Sequence, residues 1–139
     1  MKRLYHLAIV LLAASASAWA GPETFSPDDV PLVDRAKLEH YLQDPATFTL
    51  VDARTPEEYA AGHIDGAINV PVQDWEATLD RLPADRATPI VVYCRVGRRA
   101  SALMAALESQ GYHTVEVLPK RQMSWTGDTQ PAIDPDGGL

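Results

Sequence analysis

The sequence predicts an α/β domain with a mainly parallel sheet flanked by helices, and three observations support this fold class. Short apolar runs alternate with segments whose apolar residues recur every three or four positions, which is typical of strands alternating with helices. The chain has 139 residues, a length that suits one domain. Its residues are 46% hydrophobic and 22% charged, as in ordinary globular proteins, so the composition disfavours disorder.

The first half of the domain is predicted to run helix, strand, helix, strand. Residues 34–43 begin with an aspartate that can cap a helix, and residues 48–51 form an apolar run that indicates a strand. The segment 55–58 (Thr-Pro-Glu-Glu) has a hydroxyl cap, a proline and two acids, which is typical of a helix start, and Gly62 ends that helix. Residues 67–71 form a brief strand that a proline stops.

The second half repeats this alternation. Residues 74–82 are amphipathic, and residues 89–93 form an unbroken apolar run that fits a strand buried on both faces. Residues 100–110 have the apolar spacing of a helix, and Gly111 follows where a helix end favours a left-handed residue. Residues 115–118 are the last predicted strand.

Both ends of the chain are predicted to lie outside the folded domain. Residues 1–20 have a basic start, an apolar stretch and an Ala-Trp-Ala end, which indicate a secretory signal cleaved before Gly21. The alternative is a membrane anchor, but the apolar stretch is shorter than the roughly 20 residues that a bilayer requires. Residues 21–33 are expected to be a flexible lead-in and residues 126–139 a loose tail. The predicted location is therefore exported, in the periplasm, with no stable membrane insertion after cleavage.

Charge and cysteine content exclude several classes of protein. The chain has 12 basic and 19 acidic residues, a formal net charge of −7, and loss of Lys2 and Arg3 with the signal makes the mature charge more negative. An acidic chain disfavours nucleic acid or an anionic membrane surface as a partner. The single cysteine, Cys94, excludes an intramolecular disulfide and a multi-cysteine zinc site, and we expect no metal.

Cys94 lies at the junction between the buried strand and the helix over residues 100–110, where α/β sheets gather ligands. Gly97 permits a tight turn whose backbone N–H groups can face inward and bind an anion, and the helix adds its positive end. Three arginines in this acidic chain stand at positions 95, 98 and 99. The positive electrostatic potential of these arginines and of the helix N-terminus favours the thiolate form of Cys94. We therefore expect a reactive, partly exposed nucleophile. The alternative is a buried, inert cysteine beside solvated arginines.

Two motifs resemble the single-domain rhodanese family, the thiosulfate sulfurtransferases, and small exported members in particular. The resemblance spans about residues 34–125 and implies a sheet of about five strands. The matching segments are 51–59 (VDARTPEEY) with 62–71 (GHIDGAINVP), and then 92–101 (VYCRVGRRAS).

The resemblance implies ping-pong sulfur transfer through a persulfide on Cys94, with thiosulfate as donor, a thiol or cyanide as acceptor, and no cofactor. It places Asp52 and Arg54 behind the site, where Asp52 could orient a loop arginine through a charge-assisted bond. A salt bridge between two loops is an equally open alternative. The residues that it implies for donor binding are Arg95, Val96, Gly97, Arg98 and Arg99.

Two other functional classes remain as alternatives. Cysteine phosphatases and arsenate reductases have five residues between cysteine and arginine, whereas here Arg99 is the fifth residue after Cys94 and Ala100 the sixth. The second alternative is a non-catalytic module, or one that delivers sulfur to a single partner. The sequence also departs from the family at Lys120–Arg121, where a glycine pair is usual. These residues could add two cations near the site.

Overall fold

Four short parallel strands form the central sheet. They are β1 (Thr49–Asp52), β2 (Ile68–Asn69), β3 (Ile90–Tyr93) and β4 (Val115–Val117), in the spatial order β2-β1-β3-β4. The computed structural model describes residues 30–137, so the predicted signal and most of the predicted lead-in lie outside the described residues. The α/β class and the parallel sheet are as the sequence predicts.

Within residues 30–137, three α-helices flank this sheet: α1 (Arg35–Gln43), α2 (Pro56–Ala61) and α3 (Arg98–Ser109). Asp34 caps α1 by accepting from the Lys37 N–H at 2.8 Å. Helix α2 begins with a complete capping box between Thr55 and Glu58, as its sequence indicates. The amphipathic segment 74–82 lies largely in short 3-10 turns, Val72–Asp74 and Glu76–Arg81.

The register of the sheet brings three strand ends to one edge. Asp52 is opposite Tyr93 in the β1–β3 pair and opposite Asn69 in the β1–β2 pair. All four residues of β3 are buried, because helices cover both faces of this central strand. Cys94 and Arg54 therefore leave the sheet at the same edge.

Two layers of apolar side chains hold the helices on the sheet. Helix α3 packs Leu103 and Leu107, both fully buried, against one face. Helix α1 packs Leu38 against the other face, beside Val91. Complete burial of a leucine is worth about 1.5–3 kcal/mol, so α3, which leads away from Cys94, is firmly attached.

The lead-in is not flexible over residues 30–33. Val33 is fully buried, and its N–H donates to the Val117 carbonyl at 3.0 Å, while the Val117 N–H donates to the Pro31 carbonyl at 2.9 Å. Leu32 thus forms a parallel bridge beside β4. Prolines and acids suggested a loose segment, but the apolar residues between them can be buried.

The prediction of a loose tail from Thr126 is wrong for residues 126–133. Strand β5 (Met123–Thr126) pairs antiparallel with β6 (Gln130–Ile133). Gly127 adopts the left-handed φ of 62° that the turn requires, and Ile133 packs against the core on the α1 face. None of the helices within residues 30–137 is long and apolar enough to span a membrane.

Candidate active site

Cys94 directly follows β3, and its sulfur is bound by the backbone of the turn after it. The Gly97 N–H donates to Cys94 Sγ at 3.0 Å and the Ala100 N–H donates at 3.4 Å. Gly97 has a left-handed φ of 94°, which a residue with a Cβ adopts only with strain. Because Ala100 lies in the first turn of α3, its N–H has no partner within the helix. The Cys94 loop (residues 94–97) and the first turn of α3 therefore each present one N–H donor to the sulfur, which also lies at the N-terminus of that helix.

The sulfur is less accessible than the sequence suggested. Cys94 is 2% exposed, so the prediction of a partly exposed thiol is wrong. The side chain points back under the loop toward its amide donors and packs in the core on the α3 face. The burial does not make this a purely apolar site, because the same turn aims peptide dipoles at the sulfur.

The three arginines of the segment 95–99 have different surroundings. Arg99 donates through both terminal nitrogens to Glu58, at 2.5 and 3.1 Å. Arg95 donates to the Asp128 carbonyl at 2.8 Å, and its guanidinium carbon lies 4.7 Å from the centroid of the Trp125 ring. Arg98 is exposed and makes no ion pair within residues 30–137. Val96 is 61% exposed.

Asp52 and Arg54 form a buried ion pair behind this loop. Arg54 Nη2 donates to Asp52 Oδ2 at 2.7 Å and to the Gly62 carbonyl at 2.6 Å. The idea that Asp52 orients a loop arginine is wrong, because Arg54 is two residues away and occupies the carboxylate. The alternative, a structural role for the pair, is closer to what the structure shows. The ion pair lies within the segment after β1, and the hydrogen bond from Arg54 to the Gly62 carbonyl joins that segment to the turn after α2.

Tyr93 connects this ion pair to the residue before Cys94. Its hydroxyl donates to Asp52 Oδ2 at 2.9 Å and accepts from the Ile64 N–H at 3.0 Å. Burial, together with the nearby Asp52 charge, raises the pKa of Tyr93, so this group remains a phenol that donates. This role of Tyr93 was not predicted from the sequence, because Asp52 and Ile64 lie 41 and 29 positions away from it.

His63 and the pair Lys120–Arg121 differ in their surroundings. His63 stacks on Tyr59 with ring centroids 3.7 Å apart, and its Nδ1 hydrogen-bonds the Tyr59 carbonyl at 2.9 Å. Lys120 and Arg121 are exposed in a 3-10 turn that leads into β5, and their side chains make no hydrogen bond within the described residues. In that part of the chain, no group of three His, Cys, Asp or Glu side chains is placed to hold a metal ion.

The Glu58–Arg99 pair predicts a pH dependence of stability. Arg99 lowers the pKa of Glu58 from 4.5 to about 2, and the Thr55 N–H adds to this effect. The pair therefore stabilises the fold fully above pH 4.5, and the contribution is lost as the pH falls through about 2. We expect the difference in urea midpoint between the native protein and Glu58→Gln to be constant near neutral pH and to shrink in that acidic range.

Glu57→Gln is the matched control for this experiment. Glu57 is the exposed neighbour in the same helical turn, and its side chain makes no ion pair within residues 30–137. We expect Glu57→Gln to change the urea midpoint less than Glu58→Gln does. An equal, pH-independent difference for both variants would show that the Glu58–Arg99 pair contributes no charge-dependent stability.

A parallel α/β sheet with a cysteine in an amide-lined loop after its central strand defines an α/β domain with one cysteine at the edge where its strands end. The model of the rhodanese-like domain matches residues 34–127. The chain therefore belongs to the rhodanese-like domain family.

Several of the similar proteins are named as sulfurtransferases. A sulfurtransferase of Allochromatium vinosum is 34% identical over 105 residues, covering 76% of this chain and 96% of the relative. The thiosulfate sulfurtransferase PspE of Escherichia coli is 33% identical over 66 residues, covering 48% of this chain and 64% of PspE. The human single-domain sulfurtransferase TSTD1 superposes with a TM-score of 0.55 at 25% identity, covering 65% of this chain and 89% of TSTD1. Sulfur transfer is thus the class of activity.

Proposed function

We propose that this protein is a thiosulfate sulfurtransferase that carries the transferred sulfur as a persulfide on Cys94. The observation that supports this most directly is the pair of N–H donors, from Gly97 and Ala100, directed at Cys94 Sγ. A thiolate and a persulfide are both anions, and fixed peptide dipoles stabilise an anion at this position before and after sulfur arrives.

The proposed first half-reaction is a displacement at sulfur. The Cys94 thiolate attacks the outer sulfur of thiosulfate, and a new S–S bond forms as the original S–S bond breaks. Sulfite leaves with the bonding electron pair, and the enzyme holds Cys–S–S⁻. Atoms, charge and oxidation states balance on the two sides, so the step consumes no proton and no external oxidant or reductant. Splitting the transfer into two displacements at one nucleophile is covalent catalysis.

The second half-reaction regenerates the thiolate. Cyanide, or the thiolate of an acceptor, attacks the outer sulfur of the persulfide, and the Cys94 sulfur leaves with the bonding electrons. In the proposed site the exposed Arg98 attracts the anionic donor to an otherwise acidic surface. The Gly97 turn keeps the amides aligned, and Arg95, Val96 and Arg99 form the rest of the donor-binding segment.

Intact mass spectrometry tests the central step. After incubation with thiosulfate and removal of the excess, we expect a mass gain of one sulfur atom that cyanide removes with release of thiocyanate. Cys94→Ser should show no gain. No gain in the native protein would contradict the proposed reaction. A stable gain that cyanide leaves in place would favour delivery of sulfur to one specific partner.

The same spectra report the N-terminus of the protein. We propose that the chain is exported to the periplasm, so the mass of protein from an exporting bacterial host is expected to correspond to a chain that begins at Gly21. An intact Met1 in that fraction would contradict this part of the proposal.

A further inference from the structure

The tip of the β5–β6 hairpin, residues 127–130, lies between two loops at the edge that holds Cys94. On one side, the Asp128 carbonyl accepts from Arg95 at 2.8 Å, and the Asp128 carboxylate lies 3.4 Å from the same guanidinium. On the other side, Gln130 Nε2 donates to the His63 carbonyl at 2.8 Å. The hairpin tip therefore connects the Cys94 loop to the turn after α2.

The contact with the turn after α2 is close. A Cβ added to Gly62 would lie 2.6 Å from the Thr129 carbonyl oxygen, so only glycine lets the two backbones approach this far. Gly62 also accepts from Arg54, which is held by Asp52. The position of the hairpin tip is thus defined by the buried ion pair and by main-chain packing, and not by Arg95 alone.

The hairpin also changes the charge that the site presents. Asp128 and the Trp125 ring hold Arg95, and Glu58 holds Arg99. Of the three arginines in the segment 95–99, Arg98 is the one that has no acidic partner among the described residues. Asp128 lies just beyond the segment that matches the family, which ends at residue 127.

We propose that Asp128 is a specificity-determining residue for the sulfur donor. By pairing with Arg95 it lowers the net positive charge of the segment 95–99, in which Arg99 already pairs with Glu58, to that of about one free guanidinium. One guanidinium and the loop amides match a small donor with a single anionic head group next to its transferable sulfur. The proposal rests on the proposed function for the identity of the donor. The charge effect itself is independent of sulfur transfer.

Alkylation of Cys94 measures this charge effect without any sulfur chemistry. The chain has one cysteine, so the labelling rates with anionic iodoacetate and neutral iodoacetamide report on one site. We expect the ratio of the two rates to rise about twofold in Asp128→Asn and about fourfold in Asp128→Lys at low salt, and to converge near 0.5 M salt. The KM for thiosulfate should fall in parallel with little change in kcat.

Glu108 provides the matched control. It is an exposed acid near the C-terminal end of α3, and ten helical residues from Arg98 place it about 15 Å away along the axis. Glu108→Asn and Glu108→Lys make the same changes in net charge and should leave the ratio unchanged.

An unchanged ratio in the Asp128 variants, or an equal rise in both series, would overturn the proposal. Failure of both reagents to label the native protein would also overturn it. A rise confined to the Asp128 series, in a protein that gains no sulfur from thiosulfate, would support the charge effect and reject the proposed reaction.

Discussion

Replacement of Arg54 by methionine is expected to lower the free energy of unfolding by about 3–5 kcal/mol, because it leaves a buried charge without its partner. Asp52 is fully buried and Arg54 is 2% exposed. Methionine retains much of the length and apolar surface of the arginine stem, but it donates no hydrogen bond to Asp52 or to the Gly62 carbonyl. Since domains of this size are stable by only about 5–15 kcal/mol, the loss is a large fraction of the total.

Urea unfolding at neutral pH measures this loss, and Arg35→Met is its control. Arg35 also pairs with two acids, Glu39 and Asp136, but its side chain is 57% exposed. Exposed pairs contribute little, so the urea midpoint of the control should move only slightly. If both variants shift the midpoint equally, the buried ion pair does not hold the two loops together.

Replacement of Cys94 by serine is expected to lower the rate of thiocyanate formation by more than about 10³-fold, as loss of a covalent nucleophile does in other enzymes. A serine hydroxyl is almost entirely protonated at neutral pH, and oxygen does not form the persulfide that carries the sulfur. The hydroxyl can still accept from the Gly97 and Ala100 N–H groups that bind Cys94 Sγ. The fold should therefore survive the substitution.

Steady-state turnover with thiosulfate and cyanide, beside the urea midpoint, separates these two effects. We expect turnover to reach the background rate while the midpoint stays close to that of the native protein. Substantial turnover in Cys94→Ser would place the nucleophile elsewhere. Loss of turnover with a large fall in the midpoint would instead indicate a structural role for the thiol.

Much of the sheet was predictable because its strands carry local signals. Residues 89–93 are a continuous apolar run, and the structure has β3 at Ile90–Tyr93, buried along its length. The β5–β6 hairpin has no comparable local signal in the sequence. Strand β6 is a short segment with Pro131 and only one large apolar side chain, and its stability comes from pairing with β5 and from Gln130, which bonds a residue 67 positions away.

The candidate site likewise has one part that the sequence predicts and another part that it does not predict. A glycine three residues after a cysteine, at a strand-to-helix junction, predicted a turn with inward amides, because backbone geometry in so short a loop is a local property. The partners of the arginines are not local, since Glu58 lies 41 positions from Arg99 and Asp128 lies 33 positions from Arg95. Charge clustering in the sequence suggested three available cations, and only tertiary structure shows which of them are neutralised.

The depth of the sulfur also has a consequence for storage of the protein in air. A disulfide between two molecules requires a sulfur–sulfur distance of about 2.05 Å and Cα atoms within about 7 Å of each other. A cysteine that is 2% exposed, covered by its own loop, prevents two folded copies from approaching that closely. The protein should therefore resist cross-linking into covalent dimers. A sulfur bound to Cys94 extends farther from the backbone than the thiol, so the loaded form is easier for a second thiol to reach.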